Sequence, residues 1–177
     1  VAGTMEGEAV VTYSLSYSPR PVFLRDSLLL GSGDQMFDAP AELSNCIVTT
    51  SVGTGAASLD LPFVQCTIRG PLRCPDGTLV KNSILGESLR SGPNTRVEYC
   101  CLAGDPPLID DVRAGPGCIR ANPMFRDPGN LDYRLMPGSP CIGKASDGGD
   151  IGVRYTPEMI EMINVALELR RRGIINF

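Results

Sequence analysis

Five segments of the chain, FLRDSLLLG, ELSNCIVTT, FVQCTIRGP, LVKNSILGE and RVEYCCLAG, superpose when Asp26, Asn45, Gln65, Asn82 and Tyr99 are placed in one column. The steps between those residues are 19, 20, 17 and 17 positions. A recurring period near 20 predicts a solenoid, whose single turns cannot bury an apolar face and must stack. Two places before the column stand Leu24, Leu43, Phe63, Val80 and Val97, and three places after it Leu29, Val48, Ile68, Leu85 and Leu102, all apolar. One place after it stand Ser27, Cys46, Cys66, Ser83 and Cys100, all small enough to stack inward. Alternation on either side of a break predicts two short strands meeting at a corner, with Asn or Asp at the corner for its tolerance of left-handed backbone. The apolar spacing of three and four that a helix needs is absent from these segments. The unequal stretches GSGDQMFDAPA and SVGTGAASLDLP are expected to bulge outward as loops, and AVVTYSLSY near the start to add further strand.

Composition agrees with short elements joined by turns: the 177 residues include 20 Gly and 15 Pro, with no Trp and no His. A net charge of −4, with Arg170, Arg171 and Arg172 as the one basic run, lacks the footprint of a nucleic-acid binder. No apolar run is long enough to span a membrane. The opening VAGTMEGEAV has neither the basic start nor the apolar block of a signal peptide, and a chain that begins at Val1 is expected to be a processed or excised segment. Seven cysteines form no paired CxxC motif, so without His a zinc site would have to be all-thiolate. Cys46, Cys66 and Cys100 read as buried thiols acting as small hydrophobes, and Cys118 and Cys141 as the candidate disulfide pair of an exported protein.

The asparagine corner resembles the asparagine ladder of right-handed parallel β-helices in the pectate-lyase-like superfamily. Residues Asn122 to Gly152, NPMFRDPGNLDYRLMPGSPCIGKASDGGDIG, resemble a terminal motif of bacterial surface and secreted β-helix proteins. The match runs through Asn122-Pro123, Phe125, Asp127-Pro128, Asp132-Tyr133, Leu135, Pro137-Gly138-Ser139-Pro140, Ile142 and Asp150-Ile151-Gly152. Gly143 stands where the family has Asp, and Ala145 where it has Gly. The resemblance implies an all-β, right-handed parallel β-helix of about six or seven turns over residues 1–152, ending in the 122–152 motif. Phe125, Tyr133, Leu135 and Ile142 are its expected apolar pegs.

Polysaccharide lyases of that fold use a lysine or arginine base and calcium held by acids. The resemblance carries those roles to Lys81, Arg69 or Arg96 as base and to Asp60, Asp76, Glu87 and Glu98 as binding acids. Arg25, Lys81 and Glu98 each stand one place before the corner and are expected on one outward strip, which by itself reads as a solvated mixture of charges. The loop GDPPLIDDVRAG offers Asp105, Asp110 and Asp111 as candidate Ca²⁺ ligands, without the spacing of a dedicated calcium loop, and no other cofactor is expected. SDGGD, with Asp147 and Asp150, likewise lacks that spacing. Asn45 and Asn82 are read as structural, as are Asp127, Asp132 and Asp150, short acids suited to pinning turns.

Residues 153–177 change character. Thr156 suits an N-cap, Pro157 the first helical position, Glu158 and Glu161 the positive end, Arg170 to Arg172 the negative end and Gly173 the stop. Ile160, Ile163, Ala166 and Leu167 form the expected apolar face, widened by Met159, Met162 and Leu169, for a helix that caps the coil or binds a partner. The reading is a non-catalytic structural or binding module of an extracellular, cell-surface or virion-associated protein, offering a strand face to carbohydrate. A polysaccharide lyase or other carbohydrate-active enzyme is the alternative. A fibre or filament subunit, self-assembling through the N-terminal end or the C-terminal helix, is a further one.

Overall fold

A computed structural model describes residues 10–11, 22–31, 34–37, 41–54, 61–105 and 107–177. It is a parallel β-solenoid, with one helix at its C-terminal side. Sheet I stacks Val22–Arg25, Ala41–Ser44, Phe63–Val64, Leu79–Lys81, Arg96–Glu98 and Arg113–Ala114. Sheet II stacks Val10–Val11, Leu28–Leu29, Ile47–Val48, Thr67–Ile68, Ile84–Leu85 and Cys101–Leu102. The expected columns are in register: Leu24 pairs with Leu43, Leu43 with Phe63, Phe63 with Val80 and Val80 with Val97. All five side chains are buried in the coil's interior with Leu29, Val48, Ile68, Leu85 and Leu102.

Between the sheets the backbone turns through the left-handed region at each column residue, with φ of 47° at Asp26, 54° at Asn45, 59° at Gln65, 51° at Asn82 and 52° at Tyr99. Gln65 and Tyr99 have no propensity for it, so stacking on neighbouring turns decides their backbone. The small side chain that follows each corner donates to the carbonyl two residues back: Ser27 to Arg25 at 2.6 Å, Cys46 to Ser44 at 3.3 Å, Cys66 to Val64 at 3.3 Å, Ser83 to Lys81 at 2.8 Å and Cys100 to Glu98 at 3.2 Å. The column is selected for a short donor as well as for size, which explains why it holds only Ser and Cys.

Two differences from the sequence reading change the architecture. The two unequal stretches expected as loops contribute Asp34–Phe37 and Ser51–Thr54 to a third sheet, which continues with Leu72–Arg73, Leu89–Ser91 and Leu108–Asp110. Val52, Leu72 and Leu89 point from it into the core, each a lone apolar residue among turn formers and thus a faint signal. Complete turns among the described residues are fewer than the six or seven expected.

The second difference concerns the outward side of sheet II. Leu28, Ile47, Thr67, Ile84 and Cys101 lie in one register column facing away from the interior, yet all are buried. Residues 122–177 form a strap that covers them. The strap opens with a hairpin of Phe125–Asp127 and Asp132–Leu135 and runs back toward the earlier turns to the helix Pro157–Arg171. Ile84 and Cys101 pack with Cys141, Ala145 and Ile151; Leu28, Leu30 and Ile47 pack with Tyr133, Met159, Ile163 and Ala166. The helix therefore lies on a flank of the coil. Thr156 caps it as expected, accepting Met159 N–H at 3.2 Å. Ile160, assigned to the buried face, is 45% exposed, since the rim of the sheet II column meets Met159, Ile163 and Ala166.

Candidate functional site

The corner side chains hold the strap. Asn82 Oδ1 accepts Ser146 N–H at 2.9 Å and its carbonyl accepts Gly152 N–H at 2.9 Å. Gln65 Nε2 donates to the carbonyls of Asp150, at 2.8 Å, and Gly152. Asn45 Nδ2 donates to Asp26 Oδ1 at 2.6 Å as well as to the strap at Arg154. Asn45 and Asn82 thus bond beyond the coil, to the backbone of residues 146 and 154. Asp150 accepts Gly143 N–H at 2.9 Å, and Gly143 has φ of 65°, so the turn closes without an Asp at 143. Ser139 Oγ donates to Pro123 carbonyl at 2.7 Å and accepts Cys141 N–H at 3.2 Å, tying the two proline-rich ends of the motif together. The Tyr155 hydroxyl donates to Leu131 carbonyl at 2.5 Å and accepts Tyr133 N–H at 2.6 Å; burial pushes its pKa up.

Three of the four expected pegs are seated: Phe125 meets Tyr133 edge-on at 5.1 Å, and Leu135 packs on the cluster around Ile84. Ile142 is not; it is 44% exposed, and Ile151, nine residues on, is the buried peg at 1%. Asp132 accepts Arg134 N–H at 3.2 Å and accepts from Nε and Nη2 of its guanidinium, which holds its carboxyl below the usual range. Asp127 accepts the Asn130 side-chain amide at 2.7 Å across the hairpin turn.

The candidate bases do not share a site. Lys81 and Arg96 lie on the outer face of sheet I, whereas Arg69 lies beyond sheet II, with its guanidinium 6.0 Å from the Phe125 and Tyr133 rings. The binding acids are scattered also. Asp76 accepts Asn94 N–H at 2.7 Å and Asn94 Nδ2 at 2.6 Å, which lowers its pKa. Glu87 is exposed between sheets II and III, and Asp60 falls outside the described residues. Asp105 pairs with Arg120 at 2.8 Å and Asp110 with Arg90 at 3.1 Å, while Asp111 is exposed. Among the described residues no three acidic, Cys or His side chains converge as a metal site.

What sheet I does assemble is an outward strip of register neighbours, Arg25, Ser44, Val64, Lys81 and Glu98. Lys81 Nζ lies 3.7 Å from Glu98 and 5.9 Å from the Tyr99 ring centroid. Beside it runs a second column, Leu79, Arg96 and Arg113. Both arginines are exposed, and neither has an ion-pair partner among the described residues. Strand spacing sets their backbones about 4.8 Å apart. The face carries two adjacent guanidinium groups, an ammonium paired with the Glu98 carboxylate and a phenol ring, and guanidinium groups can hold carboxylate or sulfate oxygens bidentately. The arginine pair was not singled out from sequence, although register makes Arg96 and Arg113 neighbours one turn apart.

The cysteines divide by face. Cys46, Cys66 and Cys100 are buried inside the coil, and burial pushes the thiols of Cys66 and Cys100 up. Cys118 faces Cys100 from the last turn, and donation from that thiol pulls Cys118 down to about 6. Cys141 faces Cys101 on the opposite side of the same sheet, so the expected Cys118–Cys141 pair is separated by sheet II itself.

No family model, no curated protein and no solved structure matches the chain.

Proposed function

We propose that this chain is a non-catalytic structural and binding module of an extracellular, cell-surface or virion-associated β-helix protein of the pectate-lyase-like kind, and that the outer face of sheet I binds an acidic polysaccharide. The observation that carries the reading is the in-register pair Arg96 and Arg113, exposed and unpaired by any described acid, beside Lys81 and Tyr99. Adjacent guanidinium groups bind carboxylates or sulfates bidentately and repeat along the strand stack as such groups repeat along a glycan. A non-catalytic role is supported by Lys81, whose charge is paired with Glu98, and by the dispersal of the other candidate acids.

Affinity electrophoresis of the chain in gels containing polygalacturonate, alginate or a neutral glucan tests it. Retardation by the acidic polymers alone is expected, weakening with salt and lost in the Arg96→Ala, Arg113→Ala double variant. Equal migration in all gels overturns the reading. Calcium-dependent release of unsaturated sugars would instead favour a lyase with Lys81 as base. Filaments in light scattering would favour the self-assembling alternative, through the end of the coil or the helix.

A further inference from the structure

We propose that Cys101 and Cys141 are the two halves of a disulfide bond that fastens the strap to the coil in an oxidising environment. Both side chains are fully buried, in one cluster with Ile84, Ala145 and Ile151 that joins sheet II to the strap. Their backbones are pinned from either side. Cys101 donates to Ser83 carbonyl at 2.9 Å and forms a parallel bridge with Ile119. Cys141 donates to Ser139 Oγ at 3.2 Å and accepts Ile151 N–H at 3.0 Å. Both cysteines are free in the structure, and these contacts fix their backbones on either side of the one buried cluster.

The alternation of a strand excludes the competing pairings. Cys100 and Cys101 are consecutive, so one points into the coil toward Cys118 and the other outward toward Cys141. A bond from Cys141 to Cys100 or Cys118 would have to pass through the sheet. Within the outward pair, the Cys101 thiol donates to the Ala121 carbonyl at 3.3 Å, and its closeness lowers the Cys141 pKa.

The chemistry is thiol–disulfide exchange with a small-molecule disulfide such as oxidised glutathione. The Cys141 thiolate attacks one sulfur of that disulfide, forming a mixed disulfide and releasing one glutathione thiolate. As the strap settles on the coil, the Cys101 thiolate attacks the Cys141 sulfur, the Cys101–Cys141 bond forms and the second glutathione thiolate leaves. Each protein thiol gives up one proton, which a departing glutathione takes; both cysteines are oxidised and one glutathione disulfide is reduced. The inference is independent of what sheet I binds.

The full chain, purified reduced and equilibrated in oxidised and reduced glutathione mixtures, is digested without reductant and its peptides are mapped by mass spectrometry. A cross-linked peptide pair joining Cys101 to Cys141 is expected, together with a higher Tm that reductant reverses. The Tm gain should vanish in Cys101→Ser and Cys141→Ala and persist in Cys118→Ser. Mapping on the unaltered chain stands even where a variant fails to fold. Full alkylation of Cys101 and Cys141 after oxidation and unfolding, or a dominant bond from either one to another cysteine, overturns the proposal.

Discussion

The side-chain amide of Asn45 meets both backbone polar groups of Arg154, its nitrogen donating to the carbonyl at 2.7 Å and its oxygen accepting the N–H at 2.7 Å. One residue thus serves two purposes: its backbone makes the corner at φ of 54°, and its side chain docks a segment 109 positions away.

The two purposes are separable by substitution. Asn45→Gly keeps the left-handed backbone but strands the Arg154 groups, and is expected to cost about 1–2 kcal/mol. Asn45→Ala adds the backbone penalty, about a further 1 kcal/mol. Urea unfolding of both variants measures the order; equal stability of the Gly variant and the parent would remove the docking role.

Gly152 has φ of 96°, and a Cβ there would lie 2.6 Å from Ile84 Cδ1 and 3.0 Å from Thr67 Oγ1. Gly148 has φ of 81° with nothing near it. Gly148→Ala is expected to cost about 1 kcal/mol through backbone strain alone, and Gly152→Ala about 1–3 kcal/mol more through overpacking. Denaturant midpoints compare them, and a smaller loss at 152 than at 148 would contradict the close approach.

Ile84 is 1% exposed between coil and strap, while Ile142 is 44% exposed in the strap's turn. Ile84→Ala should lose about 2–4 kcal/mol. Ile142→Ala should stay within about 0.5 kcal/mol of the parent. Thermal unfolding of the pair checks whether the motif's Ile142 is a peg after all.

Arg134 beside Asp132 and Arg154 beside Asp147 hold both carboxyl pKa values below the ordinary range. Because the folded values are depressed, their contribution to stability is present above the unfolded value of about 3.9 and is lost as pH falls through the folded ones. Tm should therefore fall below about pH 4, and the Asp132→Asn, Asp147→Asn variant should fall less steeply between about pH 2 and 5. Parallel Tm profiles for the two proteins would show the acid limb to arise elsewhere.

The interior was legible because its columns repeat: Leu43, Phe63 and Val80 occupy one place in three turns, and repetition outweighs the weak propensity of Gln65 and Tyr99 for the corner. The third sheet was not, since Val52, Leu72 and Leu89 stand alone among residues that ordinarily make turns. The covered flank was readable and passed over. Leu28, Ile47 and Ile84 put apolar residues on the outward side of strands whose inward side was already apolar, the pattern of a sheet buried on both faces. Of the expected pegs, Phe125 and Tyr133 pack on the covered flank, whereas spacing alone could not distinguish Ile142 from Ile151, because it does not say which side of a turn faces the coil. At the candidate binding face, the strip holding Lys81 and Glu98 followed from the repeat. Arg113 escaped because its turn sets only the small Ala114 in the column that holds Val97.

A stack of similar turns, each touching only its neighbours, unfolds like a row of weakly coupled units and frays from its ends. The strap interrupts that independence, since one continuous segment is bonded at Asn82, Gln65 and Asn45 before its helix reaches Leu28. Releasing any one of those turns means releasing a tie shared with the others. The feature that hides an apolar flank therefore also sets cooperativity: with the strap docked these turns should melt together, and with it detached they should melt one after another.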